Sequence, residues 1–557
     1  MMTELLFALM FAVAAQQPPP PPPPPPERPP SMQVRDGIAS AAKGTAVIKG
    51  HVRTVDGRPL RRARIFIRGA GLPNGRTASS GLEGEYEIPD LPAGRFTISA
   101  VRGGYLTAEY GQRAFGDDGR PIELADGATL DKIDLTMERA GTVSGRLTDE
   151  TGEPVSGASV WVHQMQFFHG RKQYVPLTSA QTDDTGLYRI GPVPPGEFVL
   201  VAMFRETWTA DDKPGEALGY APTYFPGTAS PVEAQRVKVT PAEETTGLDF
   251  SLVPGRAASI AGSVIATDGA PLAAASVFVG QEIAGPQFMS MSMIVNGRTA
   301  ADGTFRLRNI PPGQYQLRAS GAAGDRGTET ASVTVTLQGT DIEGLVIGAD
   351  NGALLTGRVV TDAGKRLPAG TLRITPQSAI FERSQITVPP AQDGLVAADG
   401  AFTRKVPTGP AFLRASLPTG WMLKQITIGG QDYTDVPFDF RAGQAVGDAL
   451  VVISDRLPSV SGQASGAKGP ATGPVLLIPA DAARWREASG ALRKARPDAS
   501  GRYTFDAVRP GTYLLVAVEQ MQAWQLFDPE FLEPLREKAT KVTVEADPVT
   551  VDLRVVR

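Results

Sequence analysis

Residues 298–320 read RTAADGTFRLRNIPPGQYQLRAS. The stretch parses as a strand, a tight turn at Asp302-Gly303, a second strand, a Pro-Pro-Gly turn and a third strand. Phe305 and Leu307 alternate with Thr304, Arg306 and Arg308, and Tyr315, Leu317 and Ala319 alternate with Gln314, Gln316 and Arg318. A period of two is the signature of a half-buried strand. Between them, Pro pre-sets φ near −65° and Gly supplies a position with φ > 0. The expectation is an antiparallel pair with one apolar face. A single pair cannot bury that face, so a second sheet must cover it.

The pattern is written five times. Asp-Gly-type turns recur at Glu83-Gly84, Thr185-Gly186, Asp302-Gly303, Asp399-Gly400 and Ser500-Gly501. Pro-Gly-type turns follow at Ala93-Gly94, Pro195-Gly196, Pro312-Gly313, Thr408-Gly409 and Pro510-Gly511, ten residues after the first glycine in every copy but the fourth, where the gap is nine. Upstream of each pair lies an opening strand built on a glycine: GHVRTVDGRPL from Gly50, GRLTDETGEPV from Gly145, GSVIATDGAPL from Gly262, GRVVTDAGKRL from Gly357 and a degraded GQASGAKGPA from Gly462. The mean period, 103 residues, is that of whole domains in tandem rather than solenoid turns.

A chain of 557 residues accommodates four or five domains of ordinary size. The segmentation expected is sandwich one at 44–138, two at 139–254, three at 255–350, four at 351–455 and five at 456–557, the last with short helical insertions. The best helix signal is Asp528 as N-cap with Pro529 in the first helical position, and Pro534 should break it. Links of a few residues between units predict a semi-rigid string of beads.

The N-terminus reads as a targeting segment. Residues 5–15 form an eleven-residue apolar run, too short to span a bilayer, and Ala12-Val13-Ala14 matches an A-x-A cleavage pattern. Residues 1–15 are therefore expected to be a signal peptide, the alternative being an uncleaved N-terminal helix. Nine consecutive prolines at 18–26 follow, a polyproline II spacer about 28 Å long, within a leader at 16–43. No other run is long enough to cross a membrane. With no Cys there is no lipobox, disulfide framework or catalytic thiol. Export without disulfides suits a periplasmic, cell-surface or extracellular address. A net charge of −4 and the lack of a basic stripe argue against nucleic acid as a partner.

Strings such as GRLTDETGEPVSGASVWV, GSVIATDGAPLAAASVFV and TAADGTFRLRNIPPGQYQLRA resemble the carboxypeptidase regulatory-like domain. The resemblance is strong in the first three copies and weaker in the last two. It implies an all-β chain of five tandem antiparallel seven-stranded β-sandwiches, transthyretin-like or Ig-like, with few short helices. It also implies a non-catalytic binding or scaffolding module of a secreted bacterial repeat protein. A related class, pilin-type sandwiches with self-formed Lys–Asn bonds, needs a Glu shortly after the Pro-Gly turn. Ala100, Ala202, Ala319, Ala415 and Ala517 stand there instead.

Catalytic chemistry is not legible. A zinc carboxypeptidase needs His-x-x-Glu, and none of His51, His163 and His169 is followed by Glu three residues on. His163 and His169 could share a metal but lack a third ligand nearby, so no catalytic, metal or cofactor residue is expected. Asp117-Asp118-Gly119 and Asp183-Asp184 read as turns rather than calcium loops. What remains is aromatics in long connections: Trp208, Tyr220, Tyr224 and Phe225 in the second copy, and Tyr105 and Tyr110 in the first. Exposed, the four in the second copy would stack on sugar rings; buried, they would anchor a loop. Two functions follow: binding of polysaccharide or cell-envelope polymer, or a scaffold pairing with a protein partner through exposed sheet edges.

Overall fold

The computed structural model describes residues 44–556, apart from 70, 113–114, 118, 169, 210–215, 286–287, 325–326, 351, 369–370, 380–393, 468 and 499. Residues 1–43, where a targeting segment and a polyproline spacer are expected, lie outside the described residues. Strands dominate, and the helical segments of the described residues include a short series between Ala482 and Lys538.

Among the described residues five clusters of buried apolar side chains follow one another along the chain, drawn from residues 46–137, 143–252, 258–347, 353–453 and 460–553, and a sixth lies within the last of these segments. Around each of the first four the strands form two main sheets, whereas those around the fifth join in one nine-stranded sheet. The third unit is the plainest. Thr304–Ile310, Ala258–Ile265 and Ile342–Gly348 form one sheet. Phe288–Arg298, Ser276–Gly285, Gly313–Ala322 and Thr328–Leu337 form the other. Phe305, Leu307, Tyr315 and Leu317 point between the layers and are buried there.

Two sequence expectations change at this point. The strands flanking the Pro-Pro-Gly turn are not partners: Thr304–Ile310 pairs with Ala258–Ile265, and Gly313–Ala322 pairs with Ser276–Gly285 and Thr328–Leu337. The turn carries the chain from one sheet to the other, so the two apolar faces oppose each other instead of lying side by side. Alternation cannot tell these cases apart, because a hairpin and a sheet-to-sheet crossing share the period of two. In addition, the opening and closing strands of every unit run parallel, as in Ala258–Ile265 with Ile342–Gly348 and Ala353–Thr361 with Ala445–Ser454.

That parallel pairing explains the opening glycines. A Cβ on Gly50, Gly145, Gly262, Gly357 or Gly462 would lie 1.8–2.3 Å from the carbonyl oxygen of Ile133, Leu248, Leu345, Ala449 or Val551 respectively. The closing strand passes too near for any side chain. In three units a tyrosine donates to the same carbonyl: Tyr86 to Ile133 O (2.5 Å), Tyr188 to Leu248 O (2.5 Å) and Tyr503 to Val551 O (2.6 Å). The Asp of the following Ile-Asp-Leu, Leu-Asp-Phe or Val-Asp-Leu accepts from the backbone N–H just after the glycine: Asp134 from His51, Asp249 from Arg146 and Asp552 from Gln463. Turn carboxylates act locally. Asp183 accepts from the N–H and hydroxyl of Thr185 and from Leu187 N–H, and Asp302 accepts from the N–H and hydroxyl of Thr304.

The fifth unit departs most from the others. Its closing strand Leu553–Val556 pairs with both Val460–Gly466 and Gly511–Val518, linking the two layers. A second apolar cluster, including Ile478, Trp485, Leu526, Leu532 and Leu535, covers the outer face of its sheet. There Asp528 accepts from Glu530 N–H, Pro529–Leu532 makes one α-turn, and Glu533–Lys538 continues as 3-10 helix past Pro534.

The units do not form an extended string. Arg496 of the fifth donates to Gly111 O of the first at 2.6 Å, and Gln522 donates to Phe115 O at 3.3 Å. Glu530 pairs with Lys172 of the second. Between the fourth and fifth units, Asp435, 3% exposed, accepts from Arg484 (3.0 Å from Nε) and from Arg509. The chain therefore folds back, because the helical segment of the last unit presents a surface to the first two.

Candidate functional site

The second unit carries an insertion absent from the third. Thr207–Thr209 pairs with Ala217–Tyr220, which pairs in turn with Pro254–Arg256. The last of these is the link to the third unit, so the connection is itself a strand and is held in register. Onto this small sheet docks the Pro-Pro-Gly turn of the third unit. A Cβ on Gly255 would lie 2.7 Å from Pro312 Cγ, and one on Gly219 would lie 3.2 Å from Pro311 Cγ. Two glycines thus allow two prolines to seat. Arg256 then ties the link onward, donating to Gly339 O at 2.6 Å and to Asp341 at 2.9 Å.

The junction leaves a groove of about 360 Å³. Phe204, Arg205, Thr207, Tyr220 and Pro222 line it from the second unit, with Val295, Arg308, Asn309, Pro311, Pro312 and Tyr315 from the third. The volume falls in the range of small-molecule sites, and the lining mixes aromatic and proline faces with Thr207, Asn309 and two arginines, so that polar and apolar surface are about equal. Tyr315 is buried and donates to Pro311 O at 2.9 Å. Burial pushes its hydroxyl up to about 12, against a small opposing effect of the Arg205 charge. Among the lining residues no nucleophile and base are arranged together.

The four aromatics singled out from sequence separate into two places. Trp208 and Tyr220 meet, their centroids 4.7 Å apart at 43°, with Phe204 6.0 Å from Tyr220. Tyr220 is 8% exposed and donates to Glu150 at 2.8 Å, while Trp208 is half-buried against the same core. Burial raises the Tyr220 hydroxyl, and its hydrogen bond to Glu150 adds to the effect. Phe225, 9% exposed, packs edge-on against Phe250 at 5.9 Å, and Tyr224 is half-buried on the strand pair with Gly196–Met203. Of the four, only Tyr220 lines the groove; Trp208 packs beside it, and Tyr224 and Phe225 pack against the second unit's own sheets. In the first unit Tyr105 lies under Arg102 and Arg139, 5.5 and 5.7 Å from its centroid. The groove was not legible from sequence, because half of it belongs to the next unit.

His163 is buried, its Nε2 lacks a hydrogen-bond partner, and desolvation pushes its pKa down to about 4. His169 lies outside the described residues. Among the described residues no three His, Cys, Asp or Glu side chains gather as a metal site would require. Nor is any described helix long and apolar enough to cross a membrane.

The carboxypeptidase regulatory-like domain family matches this chain three times, at residues 47–138, 142–253 and 259–347, more than half its length. The chain belongs to that family. The domains of that family are non-catalytic structural modules. Among solved structures, the Bacillus anthracis TIE protein is similar at 14% identity over 73% of this chain and 74% of that one, with a TM-score of 0.15. A streptococcal ancillary pilin is similar at 12% identity over 55% and 98%, TM-score 0.20. The minor pilin GBS52 of Streptococcus agalactiae is similar at 12% over 38% and 97%, TM-score 0.21. At such values the likeness extends to no function. No curated protein matches the chain.

Proposed function

We propose that this regulatory-like repeat protein is an exported, non-catalytic binding protein that holds carbohydrate or another cell-envelope polymer in the groove between its second and third units. The groove carries the reading. Phe204 and the faces of Pro311 and Pro312 offer apolar surface to the C–H faces of sugar rings, and Asn309 and Thr207 offer hydrogen-bonding groups to their hydroxyls. The targeting segment at 5–15 supports an address outside the cytoplasm. The test is a titration of the full chain with a panel of soluble polysaccharides, repeated with Thr207→Trp, which fills the groove from an exposed position. Binding lost in the variant at unchanged melting temperature is the expected result; binding that ignores the substitution refutes the site.

A second reading, a scaffold recognising protein, rests on Thr328–Leu337. This ten-residue strand pairs with Gly313–Ala322 and, among the described residues, with no other strand. Such an edge can accept a partner strand. Envelope proteins cross-linked specifically to residues 328–337, with no polysaccharide bound, would favour it.

A further inference from the structure

The groove has a charge as well as a shape. Arg205 enters it from the second unit and Arg308 from the third, and both side chains are exposed. Among the described residues neither guanidinium makes a hydrogen bond or an ion pair. Neighbouring arginines behave differently. Arg306, two residues from Arg308 on the same strand, grips Glu343 with two bonds of 2.8 and 2.9 Å. Arg256, on the link itself, is bound to Asp341. The groove lining contains no Asp or Glu. Glu150 accepts from Tyr220 but does not line the groove, and neither does Glu206, the chain neighbour of Arg205. Two cations from different units therefore share one concave, partly aromatic space without a protein counter-ion.

We propose that the groove selects an acidic saccharide, a chain bearing uronate-type carboxylates, with Arg205 and Arg308 as its charge-reading residues; this rests on the polymer-binding reading above. A guanidinium matches a carboxylate in planar, two-pronged geometry, which a neutral sugar cannot exploit. The rings supply stacking for the sugar face while the two arginines supply the discrimination. Asn309 lies between these parts in a left-handed conformation, φ 58°. Asp90 and Ala507 hold similar values before the matching turns, at 57° and 50°, so that geometry belongs to the repeat; the arginine pair is what the site adds.

The test compares a polyuronate with the same polymer after carboxyl reduction, using the full chain, Arg205→Gln, Arg308→Gln, the double variant and Thr207→Trp. The expected result is at least a roughly tenfold preference for the acidic form, the scale of one charge-assisted contact. That preference should weaken with added salt and vanish in the double variant, which should bind the acidic and the reduced polymer alike. Thr207→Trp should abolish binding of both forms. Equal affinity for both polymers in the wild type overturns the charge selection and leaves the groove reading standing. No binding of either polymer overturns both. Acidic binding that survives Thr207→Trp places the interaction elsewhere and overturns the inference. Both arginines are exposed, so unchanged melting temperatures are expected throughout.

Discussion

Small residues and single hydrogen bonds decide how each unit closes. Gly145 has no room for a methyl group, because Leu248 O lies 2.3 Å from where its Cβ would be. Gly145→Ala should cost about 1–3 kcal/mol, the usual penalty for overfilling a packed position, read as a lower denaturation midpoint for the second unit. Tyr188→Phe removes the donor to Leu248 O and should cost about 1 kcal/mol. The third and fourth units already carry Phe305 and Phe402 at the matching position, so substitution there should bring no such loss. His163 gives a pH signature. It is held neutral by burial with a pKa of about 4, whereas an unfolded imidazole titrates near 6.5. The unfolded chain therefore binds the extra proton first, and stability is full above pH 6.5 and falls as pH drops towards 4. The total is at most roughly 3 kcal/mol by linkage. Stability measured against pH should flatten over that window in His163→Gln; an unchanged slope would assign the loss to other groups. These glycines stood out in the sequence as markers of the repeat, but their cause did not, since the carbonyl each one meets lies some 80–100 residues away.

At the scale of elements, alternation located the strands and turns, and Asp528 with Pro529 located the helix start. Pairing was harder to read. The crossing at Pro311-Pro312 and the parallel closing strands depend on contacts between distant segments, which local periodicity does not encode. The strand Pro254–Arg256 was hidden for another reason: it has two polar or flexible residues in three and gains its partner only from the insertion. Its Gly255 lies directly against Pro312, where the two units meet. Gly255→Val would drive a side chain into Pro312 and should shift the third unit against the second while each unit stays folded. Fluorescence energy transfer between labels on the two units should report a changed distance, with thermal unfolding of the units near wild type. An unchanged distance would show that the junction is not set by this contact.

For the whole molecule, the tandem repetition was legible from turn spacing, and the fold-back was not. Arg496, Gln522, Lys172 and Glu530 carry no pattern that announces a partner hundreds of residues away. An exposed ion pair is worth at most about 1 kcal/mol, so closure is a sum of small contacts. Combining Glu530→Lys with Arg496→Ala should open it, increasing the radius of gyration in small-angle scattering while leaving the melting temperature of the units in place; an unchanged radius would mean that other contacts hold the last unit. The candidate site follows the same logic. Trp208, Tyr220, Tyr224 and Phe225 were visible in the sequence as neighbouring aromatics, yet the proposed groove is bounded also by Arg308 and the two prolines of the neighbouring repeat.

The most direct measurement is hydrogen–deuterium exchange of the full chain with and without soluble envelope polysaccharide. Binding in the groove predicts added protection confined to residues 203–209, 217–222 and 308–315. Protection at the edge 328–337 alone, or none at saturating polymer, would contradict it.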